Sequence, residues 1–94
     1  MDGLKIETFD NLFEAVLRLD KIEDLRKLFE DMCTVKELEA MSQRLRVASM
    51  LKRGSNYQEI SESTGASTAT ISRVNKCLMY GTGGYDLVLR EDKA

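Results

Sequence analysis

The sequence predicts an all-α fold, and three observations lead there. Proline is absent from all 94 residues, so no helix is interrupted by a missing backbone donor. Val, Ile, Tyr, Phe and Thr, the residues that suit a pleated strand, are sparse. Apolar side chains recur at three- and four-residue intervals rather than at alternate positions. A chain of this length is expected to form a single domain, residues 1–94, with a modest core of its own.

The elements follow in order. Phe9, Leu12, Phe13, Val16 and Leu17 share one helical face. Ile22, Leu25, Leu28, Phe29 and Met32 repeat the spacing after a weak break at Asp20-Lys21, which leaves one long helix or two open. Together they make an arm, residues 1–33, whose Leu- and Phe-rich face is larger than a 94-residue monomer readily hides. That face covers the rest of the domain or meets a second chain. Thr34-Val35-Lys36-Glu37 has the pattern of a capping box and opens a core helix within residues 34–54. Leu38, Met41, Leu45, Ala48 and Leu51 are expected to face inward. Gly54 is expected to end the helix in a left-handed conformation, with Lys52 and Arg53 near the negative end of its dipole.

Residues 57–80 are expected to hold two further helices. Ser55 or Asn56 can cap the first, Tyr57 to Thr64, with Ile60 inward. Ser67 caps the second, Thr68 to about Tyr80, with Ile71, Val74 and Leu78 inward. Gly81-Thr82-Gly83-Gly84 stops it. The tail, residues 81–94, carries Leu87, Val88 and Leu89 as a short docked helix or a frayed end.

Composition removes several function classes. The chain has no His, which excludes His-based acid/base catalysis, Ser-His-Asp and Cys-His triads, and His-containing metal sites. Two Cys alone cannot complete a four-ligand zinc site. Cys33 and Cys77 are expected to stay reduced, and no enzyme activity, metal or cofactor is expected. No apolar run reaches the ~20 residues of a membrane span. The N-terminal MDGLKIETFD lacks the basic and apolar regions of a signal peptide. A cytoplasmic protein is expected.

The net charge of −2 conceals a split. Residues 1–33 carry five Lys/Arg against nine Asp/Glu, whereas residues 34–80 carry seven against four. An acidic half and a basic half suggest different partners.

The stretch from Tyr57 to Val74 is the informative one. Two short helices across a tight turn with Gly65 at its centre make a helix-turn-helix. Ile60, Ile71 and Val74 fill the angle, and the small Ser61 and Ala66 flank the crossing. The outer side of the second helix then presents Thr68, Ala69, Thr70 and Ser72, short side chains that fit base edges and thymine methyls in a major groove. Ser67, Thr70 and the N–H groups of the helix start suit a phosphate. Gln58, Arg73 and Lys76 are placed to hold the backbone or adjacent bases. Double-stranded DNA is therefore the expected partner, and the expected function is sequence-specific transcriptional regulation. The alternative is a helix-turn-helix dimer that serves as a protein-interaction module.

From about Asp31 to Gly81 the chain resembles the tryptophan repressor superfamily, specifically its shorter TrpR-like YerC/YecD group. The segments CTVKELEAMSQRLRVASMLKRG and YQEISESTGASTATISRVNKCLMYG carry the resemblance, and residues 1–30 match the family's helical arm loosely. The resemblance implies an intertwined homodimer whose two heads read a roughly palindromic operator, with half-sites ~34–36 Å apart. It implies a repressor.

It also implies a remnant ligand pocket. Thr34, Arg44 and Arg73 stand at the family's threonine and two ligand-contacting arginines. Val74 stands where a glycine makes room for the indole, and Cys77 where a serine lies near the amino group. Asp31 and Cys33 replace two apolar residues over the ring. A valine projects into the space of the flat ring, so L-tryptophan is not expected to bind. Arg73 is expected to touch phosphate instead, and any other effector stays open.

Overall fold

A computed structural model describes residues 6–89. Among them it contains helices and no strand: a 3₁₀ turn, Ile6–Phe9, then α1, Asp10–Leu17, α2, Ile22–Met32, α3, Val35–Lys52, α4, Tyr57–Thr64, α5, Thr68–Tyr80, and α6, Gly84–Leu89. The fold is all-α, as the spacing of apolar residues predicts. The chain divides between Val35 and Lys36 into two compact units.

The first unit holds α1 and α2, which are separate helices. The N–H groups of Arg18 and Leu19 reach the carbonyls of Ala15 and Val16 at 3.2 and 3.1 Å, so the last turn of α1 tightens. Lys21 is extended (φ −120°, ψ 140°), and α2 starts after it with Glu23 and Asp24 at the positive end of its dipole. Neither helix has a buried residue. Leu17 and Ile22 are 82% and 61% exposed, and Phe9, Leu12, Phe13 and Met32 are also exposed.

The second unit is built on a small core. Val47 and Ala48 of α3, Ile60 of α4, Ala66 of the turn, and Ile71 and Val74 of α5 are each no more than 2% exposed. Met50, Leu51, Leu78, Tyr85 and Leu89 pack around them. The helix α3 ends as its glycine predicts. Gly54 has φ +92°, its N–H donates to the Leu51 carbonyl at 3.1 Å, and Ser55 N–H donates to the Met50 carbonyl at 3.0 Å. That pair of bonds is the Schellman closure.

Two expectations for α3 are corrected. Met41 and Leu45 are exposed rather than inward, and Val47, absent from the expected face, is fully buried. Val47 lies only two residues, about 3 Å, beyond Leu45 but about 200° around the helix, so a different face of α3 is the one packed. The buried residues of α3 are Val47, Ala48 and Ser49, all in its C-terminal half.

The tail docks as α6 through one face. Tyr85 and Leu89 meet the core cluster, while Leu87 and Val88 are 68% and 64% exposed. Lys52 reaches across to Asp86 at 2.6 Å, with its own side chain 13% exposed. Residues 1–5 and 90–94, which include the end of the expected tail, lie outside the described residues. Among the described residues no helix is long and apolar enough to cross a membrane.

Candidate nucleic-acid interface

Local sequence sets both ends of α4. Of the two candidate caps, Asn56 is the one used. Its Oδ1 accepts from Glu59 N–H at 2.9 Å, and Glu59 Oε1 accepts from Asn56 N–H at 2.9 Å, a reciprocal box. The helix closes at Gly65, φ +75°, whose N–H donates to the Ser61 carbonyl at 2.8 Å. A Cβ at Gly65 would meet only Gln43 Nε2, at 4.0 Å. The turn therefore requires glycine for its backbone conformation and not for space.

Thr64 ties that turn together. Its hydroxyl donates to the Ile60 carbonyl at 2.7 Å and accepts from Ala66 N–H at 3.1 Å. Its carbonyl accepts from Gln43 Nε2 of α3 at 3.1 Å. The angle between α4 and α5 is thus fixed by a side chain of the turn itself and by one from a preceding helix. Nothing in the sequence around Gln43 signals this role. A glutamine among Arg and Ser residues reads as surface, and its acceptor lies 21 positions away.

The next helix starts at Ser67, whose Oγ accepts from Thr70 N–H at 3.2 Å while its hydroxyl meets Thr70 Oγ1 at 3.2 Å. The first intrahelical bond runs from Ile71 N–H to the Ser67 carbonyl at 3.0 Å. Helical geometry leaves the N–H groups of Thr68 and Ala69 without an acceptor inside the helix.

One face of α5 is buried and the other is free. Ile71 and Val74 point into the core, and Thr68, Ala69, Ser72, Arg73 and Lys76 are exposed. Those five lie at spacings of one, four, five and eight from Thr68, a single stripe. Ser67 is exposed at its start. Thr70 departs from the expected pattern: it is half-buried and engaged by Ser67, because it sits at the edge of the face that carries Ile71 and Val74. Gln58 is exposed in the first turn of α4, with its Nε2 3.4 Å from Glu62 Oε2.

The residues at the remnant ligand positions fall in both units. Val74 is 2% exposed, packed in the cluster with Val47, Ile60 and Ile71. Cys77, one turn on, is exposed and lines a groove of about 510 Å³ with Leu45, Tyr85 and Val88. Arg44 and Arg73 are exposed on α3 and α5. Thr34 directly precedes α3 and belongs to the first unit. Cys33 and Cys77 are both free thiols.

Comparison with known proteins converges on one family. The family model described as Trp repressor protein matches residues 7–93. The uncharacterized protein YerC of Bacillus subtilis (strain 168) is 45% identical over 89 residues, which are 95% of this chain and 86% of YerC. A TrpR-like protein from Eubacterium eligens ATCC 27750 superimposes with a TM-score of 0.88 at 46% identity, over 97% of this chain and 94% of that one. A crystal structure of a candidate Trp repressor from Staphylococcus aureus gives a TM-score of 0.87 at 43% identity, over 96% and 90% of the two chains.

The clamp on the turn can be tested directly. Gln43→Met keeps the length of the side chain but removes the donor to the part-buried Thr64 carbonyl. It should lower stability by about 1 kcal/mol in thermal unfolding, and amide exchange at Gly65 and Ala66 should quicken more than in the rest of α5.

Proposed function

The chain belongs to the Trp repressor protein family, and from that membership we propose that it is a homodimeric, sequence-specific DNA-binding repressor that works without tryptophan. The observation that carries the proposal is the division of α5. Ile71 and Val74 lock one face into the core, so Thr68, Ala69, Ser72, Arg73 and Lys76 are held outward as a rigid set.

In this reading α5 enters the major groove by its N-terminal end. The methyls and hydroxyls of Thr68, Ala69 and Ser72 meet base edges. Thr70, half-buried, supports Ser67, and the two with the first N–H groups of α5 hold a phosphate. Gln58, Arg73 and Lys76 grip the backbone on either side. The positions need no catalytic group, and the arrangement binds rather than transforms its partner.

The expected result is DNA binding that weakens with salt, because each neutralised phosphate releases counterions. Arg73→Ala and Lys76→Ala should each reduce the salt slope by about one, and Thr68→Ala should relax base preference at one position. Selection from a random pool at two salt concentrations reads both effects. Retention of no DNA at low salt would overturn the reading. Survival of regulation in a Thr68→Ala, Thr70→Ala, Arg73→Ala triple variant would favour the protein-interaction module instead.

Dimerisation is supported by apolar surface that a single chain leaves exposed: Leu17 and Ile22 in the first unit, and Met41, Leu45, Leu87 and Val88 in the second. Light scattering at micromolar protein should give the mass of two chains; a stable monomer would count against a shared core.

The absence of a tryptophan response is supported by Val74. Its methyls are part of the core where the family's glycine leaves room for a ring. Calorimetry with L-tryptophan should give no saturable heat, and micromolar affinity would refute the assignment.

A further inference from the structure

The outward face of α5 is fixed in angle as well as in composition. Successive helical residues turn by about 100°, so Ala69 lies about 170° from the midpoint of the buried Ile71 and Val74. Ala69 is therefore the apex of the exposed face. Thr68 stands beside it in the first turn, Ser72 and Arg73 flank its line one turn on, and Lys76 follows two turns on. The smallest side chain of the stripe sits where the helix comes nearest to whatever it meets.

Chemistry changes along the same stripe. At its N-terminal end Thr68 and Ala69 offer two methyl groups and one hydroxyl, with no amide and no charge. The first guanidinium, that of Arg73, is four residues and about 6 Å along the axis from Ala69. Thr70 is half-buried and drawn to Ser67, so it adds nothing to this end of the face. Gln58 lies on α4, with its amide 3.4 Å from Glu62. In the major groove guanine is read by the paired donors of Arg or Lys, and adenine by the amide of Asn or Gln. A threonine hydroxyl bonds to any base without choosing. What a methyl group selects is the C5 methyl of thymine, which cytosine lacks.

A short apex also lets the backbone approach. The major groove is about 8.5 Å deep, and a helix led by alanine enters it with no long side chain to hold it off. Contact of methyl with methyl then removes both from water.

We propose that α5 reads thymine by its methyl group: Thr68 and Ala69 each pack against the C5 methyl of a thymine, so the part of each half-site facing the start of α5 is built of A·T pairs. The inference rests on the DNA-binding reading above and names what that surface selects. Arg73 and Lys76, further along the stripe, hold the duplex in place.

The test starts from the duplex that the full chain selects out of a random pool. Each thymidine is replaced in turn by deoxyuridine, which deletes the methyl and keeps the hydrogen-bonding groups of the base. Replacement at a contacted thymine should weaken binding about fourfold, the burial of one methyl group. Thr68→Ser removes the methyl from the protein and keeps the hydroxyl. It should abolish the deoxyuridine penalty at one thymine and leave the penalty at the other, and Ala69→Gly should do the converse. Circular dichroism melts confirm that both variants are folded. Cytosine at either position should bind more weakly than thymine, and 5-methylcytosine, with its methyl at the same ring carbon, should recover part of the loss.

Binding indifferent to deoxyuridine at every thymine would overturn the inference and leave DNA binding standing. So would penalties that persist unchanged in both Thr68→Ser and Ala69→Gly. Retention of no duplex at low salt would instead overturn the DNA-binding reading itself, and this inference with it.

Discussion

The contact of Ile60 with Ile71 and Val74, over Val47 and Ala48, is the interaction on which the rest of the second unit depends. These side chains are almost completely removed from water. Each large one contributes roughly 1.5–3 kcal/mol by burial, and the set is small. Once Ile60 must meet Ile71 eleven residues later, the chain between them has to reverse within a few positions. That requirement explains the positive φ of Gly65, the small Ala66 at the crossing, and the bonds that gather on Thr64. The exposed stripe of α5 is then the complement of its buried face. Its composition is free to serve recognition because packing makes no demand on it.

The same small core leaves much apolar surface unused. Tyr85 and Leu89 bring α6 to the cluster, but Leu87 and Val88 on the same helix remain outside. Met41 and Leu45 remain outside because the packed face of α3 is the one that carries Val47. The arm has no buried residue in either of its helices. A chain that exposes this much Leu, Ile, Phe and Met is expected to bury it by association, which is the physical ground for the homodimer proposal. Family membership and burial thus bear on assembly independently: one through likeness, the other through area that a lone chain does not remove from water.

What the sequence could show was decided by distance along the chain. Asn56 with Glu59, Gly65, and Ser67 with Thr70 act within three residues, and the limits of α4 and α5 follow from them as expected. The face of α3 did not follow, because more than one apolar stripe can be drawn along it and spacing does not say which one a neighbour meets; Val47 is buried where Met41 and Leu45 are not. Thr70 was legible as an outward residue but not as a half-buried one, since its position at the edge of the packed face depends on the tilt of α5. The Gln43 clamp and the Lys52–Asp86 pair span 21 and 34 positions and leave no local pattern.

Val74 connects packing to control. In a head where glycine occupies this position, a ligand can supply the missing volume and set the angle of the recognition helix. Here the methyls are covalently present, and the position is 2% exposed. The side chain fills that space itself, which is the ground for the proposal that tryptophan does not act here. On that proposal, a small molecule that controlled this head would act through a different contact of α4 and α5. The Thr64 turn is one such contact: its hydroxyl and carbonyl tie Ile60, Ala66 and Gln43 together. Electrostatics favours the same place. The chain is acidic as a whole, yet residues 34–80 carry an excess of Lys and Arg, so anions, including the phosphates of DNA, meet their most favourable field on the half of the sequence that carries both the turn and α5.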